Sequence, residues 1–226
     1  MNLSMSRKET LYGWFYWIFQ LTLLPALLQT GNSLLPVPLS QAVLNFLFFL
    51  LNFLAVILIF RDFLRKNLKQ LSAAPWKALQ YTALGAGILL LCQLALEGLL
   101  PRIRPDYANQ NDQVIAGLLR ESFPLITIGT VLLVPPVEES FFRGLIFRPL
   151  RQRRRAGAYL LSALAFAGIH MLGFLGTYSP AELGLALMQY LPAGLVLAWA
   201  YERSGTIFVP MFIHALVNIR AIWLMR

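Results

Sequence analysis

The chain has 226 residues, 58% of them hydrophobic and 13% charged, and its mean hydropathy is +0.64. That composition lies far outside the range of a soluble domain, and it points to an integral membrane protein. The formal net charge is +9; because basic residues collect in cytoplasmic loops, the charge is assigned to topology and no nucleic-acid partner is expected.

Seven apolar segments, at about 11–28, 38–60, 78–100, 124–147, 156–175, 181–200 and 206–225, predict an all-α fold, a polytopic transmembrane bundle of about seven helices. The first follows Arg7 and Lys8 as a signal peptide would. Its length, its Trp14, Tyr16 and Trp17, and the lack of a small-x-small cleavage site favour a spanning helix instead. The third contains the single cysteine, Cys92, so neither an intramolecular disulfide nor a thiolate metal cluster is expected. Residues 101–123 carry charges of both signs and read as a solvated connector. The fourth contains Pro135 and Pro136, which predict a kink or a new start at Val134. Gly173, Gly176 and Pro180 crowd the junction of the fifth and sixth, where a re-entrant or short segment is the alternative. Residues 1–119 thus hold three segments and the connector, and 120–226 hold the rest, in one membrane domain.

Thirteen of the 19 Lys and Arg residues fall on the side of the N-terminus, among them the run Arg148, Arg151, Arg153, Arg154 and Arg155. Only Arg102, Arg104, Arg120 and Arg226 fall on the other side. This asymmetry predicts a multi-pass protein of the cell membrane with a cytoplasmic N-terminus, and an Arg-rich loop that meets the anionic headgroups of the lipid bilayer.

Ionisable groups at bilayer depth cost about 2.5–3.5 kcal/mol each on insertion scales, so each needs a partner or a wet cavity. The segments contain Glu97, Glu138, Glu139, Arg143, His170, His214 and Arg220, and both histidines of the chain are among them. Glu139 and Arg143 are four apart and can pair within one helix. Glu138 lies ~100° round from Glu139, which leaves it without an in-helix countercharge and suited to general-base work. Phe166 precedes His170 by one turn, and His214 shares a helix face with Asn218, whose amide could support an oxyanion. Glu97 and Arg220 read as separate interfacial groups, Trp14, Trp17, Trp223 and Tyr201 as interfacial anchors, and Gly85, Gly87, Gly168 and Gly173 as sites of close helix packing.

The ordered patterns EESFFR (138–143), FAGIH (166–170) and HALVN (214–218) resemble the E-E-x-x-x-R, F-x-x-x-H and H-x-x-x-N motifs of the CAAX protease and bacteriocin-processing family of intramembrane endopeptidases, also called Abi. The resemblance covers about 120–226 and implies a catalytic core there, acting on a peptide or protein substrate in or at the membrane. It implies that Glu138 and His170 activate water, that His214 and Asn218 hold the oxyanion, and that Glu139, Arg143 and Phe166 support the site. No cofactor is expected; the alternative is zinc on Glu138, His170 and His214. The Arg-rich loop suggests access from the cytoplasmic side. A proton-coupled transporter, or an inactive relative acting in binding or bacteriocin immunity, are the other readings. Counting ~1.5 Å per residue puts Glu138 and His214 at about 13 Å from the cytoplasmic ends and His170 near ~21 Å; a fourth segment helical to Leu150 would bring Glu138 to about 18 Å.

Overall fold

The computed structural model describes residues 4–226. Among them the chain is all-helical: α1 (Arg7–Ser33), α2 (Gln41–Ile59), α3 (Arg61–Ala73), α4 (Pro75–Ile103), α5 (Gln110–Glu121), α6 (Phe123–Arg151), α7 (Arg155–Leu172), α8 (Pro180–Ser204) and α9 (Phe208–Leu224). Six of these are long and apolar enough to cross a membrane. α9 is an apolar helix of 17 residues, at the short end of the spanning range. Each of the seven predicted segments is one of these seven helices. The predictions missed α3 and α5, whose sequences are too polar to stand out as apolar runs.

Local chemistry sets the helix ends. Ser6 caps α1 by accepting from the Glu9 N–H, while Glu9 Oε2 accepts from the Ser6 N–H at 2.7 Å. Glu9 Oε1 also accepts from the Phe63 N–H at 2.7 Å, so one buried carboxylate satisfies the starts of both α1 and α3. Ser179, Pro180 and Glu182 repeat the capping box on α8, which Gly205 closes in the left-handed conformation at φ 79°.

The packing brings two ends into view. Ser4 meets Arg148, Glu202 meets Arg151 and Arg155, and Asn67 accepts from the Ile207 N–H, so the Arg-rich loop, α3 and the chain start share one end. At the other end Arg104 pairs with Glu182, and Gln110 donates its N–H to Tyr178. Outward faces carry Leu58, Leu91, Leu132 and Trp223, as a lipid-facing surface requires.

Two packing expectations need correction. Gly85 does sit tightly against Ile213, but Gly87, Gly168 and Gly173 face open space. The decisive close approach is Gly194 of α8, where an added Cβ would lie 2.7 Å from the Ala163 Cα of α7. Trp14 and Trp223 are exposed, as anchors should be, whereas Trp17 is half-buried on Phe141 and Tyr201 is buried with its hydroxyl accepting from Arg148.

Candidate active site

The fourth predicted segment does not start anew at Val134 but changes helical register there. α6 stays helical over all 29 residues, and it absorbs the proline pair by widening into π-helix at Gly129–Leu133 and again at Ser140–Phe147. In the widened register the Val134 N–H bonds to the Gly129 carbonyl. The next carbonyl, that of Thr130, would then accept from residue 135, but Pro135 has no N–H. Asn218 of α9 fills that vacancy, donating Nδ2–H to the Thr130 oxygen at 2.8 Å. The prolines therefore anchor Asn218, and its second amide N–H remains available. Because α6 runs on to Arg151, the counted depth of Glu138 moves closer to that of His170.

Glu139 and Arg143 form the expected pair, with Nε 3.0 Å from Oε2 and both side chains completely buried. Arg143 also donates to the Gly194 carbonyl at 3.1 Å, and its guanidinium lies 5.0 Å from the centre of the Phe166 ring. The close α7–α8 contact at Gly194 thus doubles as an anchor for the buried arginine. The other oxygen of Glu139 lies 3.0 Å from His214 Nδ1. A carboxylate accepts there, so Nδ1 carries a proton and Nε2 points away from Glu139.

His170 is oriented in the same manner by the backbone. Its Nδ1 lies 2.8 Å from the Phe166 carbonyl, which can only accept, so Nδ1 donates and Nε2 is left for chemistry. Both Nε2 atoms converge on one oxygen: Glu138 Oε2 is 4.0 Å from His170 and 3.9 Å from His214. These gaps are too long for hydrogen bonds and suit bridging by a water that bonds to both sides. Glu138 Oε2 is buried and has no hydrogen-bond partner among the described residues. Phe166 packs against both imidazoles, at 4.8 and 5.6 Å between ring centres, and fixes their separation.

Sequence reasoning missed three groups. Tyr190 stacks on His170 at 4.5 Å and ties it to the connector, because its hydroxyl accepts from Asn109 at 2.9 Å. Gln189 joins the same network, accepting from Asn109 and donating to Asp112 at 3.3 Å. Burial pushes the Asp112 carboxyl above its usual range, so this part of the connector is packed rather than solvated. Thr130 acts only through its backbone, which no side-chain motif can reveal. Glu97 and Arg220 are not separate: they form a two-pronged ion pair at 2.7 and 2.8 Å.

Among the described residues, no group of three or more His, Cys, Asp or Glu side chains is placed to hold a metal ion. Glu138, His170 and His214 instead face one another across the two gaps on Oε2.

Residues 120–220 match the family described as "Type II CAAX prenyl endopeptidase Rce1-like". A Bacillus subtilis (strain 168) protein named "Putative membrane peptidase YdiL" is 30% identical over 111 residues, which are 49% of this chain and 41% of that protein. The chain thus aligns with less than half the length of that relative. No solved structure matches. The matched segment contains Glu138, Glu139, Arg143, Phe166, His170, His214 and Asn218, and over it the chain is similar to the type II CAAX prenyl endopeptidases.

Proposed function

We propose that the protein is an intramembrane endopeptidase in which Glu138 and His170 activate water against a peptide bond. The observation that supports this most is the convergence of two oriented Nε2 atoms on one oxygen of Glu138. Glu138 takes a proton from water as the oxygen attacks the carbonyl carbon. The oxyanion so formed is held by Asn218 Nδ2–H and by His214 Nε2–H; Glu139, accepting at Nδ1, compensates the imidazolium that has a proton there. As the C–N bond breaks, the proton passes to the leaving amine, with His170 within reach of Glu138 to share the transfer.

The reaction is assigned to the glutamate rather than to zinc. Full-length protein in detergent, incubated with a tryptic digest of a cell lysate, is expected to give new peptide termini by mass spectrometry, before and after exhaustive chelation. No new termini from the untreated protein would contradict proteolysis and leave the transporter or the inactive relative. Activity lost on chelation and restored by zinc would contradict the metal-free reaction.

The Arg-rich end and the N-terminus are placed in the cytoplasm, where the loop meets anionic headgroups. In a Cys92→Ser background, an impermeant thiol reagent added to intact cells is expected to label Asp106→Cys and to spare Arg153→Cys; the reverse pattern would invert the topology.

A further inference from the structure

The cleft at Glu138 extends to residues outside the matched segment. A cavity of about 70 Å³ is lined by Glu138 and Phe141 of α6, Trp17 and Gln20 of α1, and Phe48 of α2. Trp17 Nε1 is buried without a hydrogen-bond partner among the described residues. The Gln20 carboxamide, on a residue only 4% exposed, has none among them either. Nearby polar groups of the same helix pair are satisfied: Tyr16 donates to Asn52 at 2.9 Å, and Asn52 donates to the Phe48 carbonyl at 2.8 Å. Trp17 and Gln20, the unmatched buried groups of α1, are both at the cavity.

Their chemistry specifies an occupant. Positions three apart share a helix face, so Trp17 and Gln20 line the cavity one turn apart. An indole offers only a donor, and a carboxamide offers both donor and acceptor. An extended polypeptide supplies the complement, a carbonyl for the indole N–H and an N–H for the carboxamide oxygen, whereas an acyl or prenyl chain would leave both unpaired. The cavity has a continuation, since Phe48 also lines a wider groove of about 520 Å³ with Gln29, Asn45 and Glu121 at the connector end. The Asn45 Oδ1 is a further buried acceptor without a partner among the described residues.

We propose that the substrate is held as an extended chain in the groove between α1 and α2, reaching Glu138 from the connector end past Phe48, with its backbone bonded to Trp17 and Gln20. This rests on the proteolytic reading above and reverses the side of access that the Arg-rich loop suggests. Trp17 and Gln20 are positioning residues, not groups that take part in bond cleavage.

The test uses a peptide that the wild-type protein cleaves from the lysate digest, together with versions N-methylated at successive backbone positions. Gln20→Leu and Trp17→Phe keep volume and ring, and thermal melts establish which variant is folded, so either alone decides. Each is expected to lower kcat/KM about tenfold, mainly through KM, as loss of one substrate hydrogen bond should. N-methylation at one position near the cleaved bond should lower wild-type kcat/KM by a similar factor and leave the Gln20→Leu protein no worse. Folded variants within about twofold of wild type would overturn the proposal. So would N-methylation effects that are the same in wild type and Gln20→Leu. A wild-type protein that cleaves nothing contradicts the proteolytic reading and this one together; wild-type cleavage with unaffected variants contradicts this one alone.

Discussion

Arg143→Met is expected to destabilise the protein by about 3–5 kcal/mol, because it leaves the Glu139 charge buried without its partner. The pair is completely buried, and the guanidinium also supports the Gly194 carbonyl where α7 and α8 touch most closely. Arg143→Lys should not rescue it, since an ammonium is a point charge and cannot serve Glu139 and Gly194 in the arginine's forked geometry. Glu139→Gln combined with Arg143→Met removes both charges and should recover part of the lost stability, but not activity, since His214 then lacks its carboxylate. Unfolding by denaturant, followed by helical circular dichroism, measures the three variants. A stable Arg143→Met protein would show that Glu139 is not charged in the folded state.

His170→Ala and His214→Ala are each expected to reduce kcat/KM by about 10²–10⁴, His170→Ala with a melting transition near that of wild type and His214→Ala with some loss of stability, because the buried Glu139 loses a donor. Both rings are held at Nδ1, one by a backbone carbonyl and one by Glu139, so only their Nε2 atoms face Glu138. Asn218→Ala should cost about 10²–10³, the usual loss for one oxyanion donor, plus some stability from the unpaired Thr130 carbonyl. Because the groups act as a unit, the His170→Ala, His214→Ala double variant should fall well short of the product of the single losses. Full additivity would mean that the two histidines serve separate processes.

How much of this was legible in the sequence follows from what each feature depends on. The seven apolar helices were readable because lipid demands a composition that no other environment would select. Glu139 and Arg143 were readable as a pair because a four-residue spacing fixes their contact within one helix. The meeting of Glu138 with two histidines from other helices was readable only through motif resemblance, since no spacing rule relates residues 138, 170 and 214. Features that depend on backbone register were not readable. The π-helical widening of α6 converts an apparent break at Pro135 into the anchor of Asn218, and side-chain identity says nothing of a freed carbonyl. Glu97 and Arg220 seemed unrelated because 123 residues separate them, although the fold brings α4 against α9. Trp17 looked like an interfacial anchor because that is the common use of tryptophan at the start of a span. Its place beside Glu138 depends on how α1 leans on α6.

The central claim is that Glu138 is the base that activates water on a peptide bond. It is tested most directly by the cleavage rate of folded Glu138→Gln protein, measured after chelation on a peptide that the wild-type protein cuts. The change keeps the shape of the side chain and removes the group that accepts the proton. The account predicts a wild-type melting transition with cleavage reduced by at least about 10³. A folded Glu138→Gln protein that cuts at the wild-type rate would contradict it.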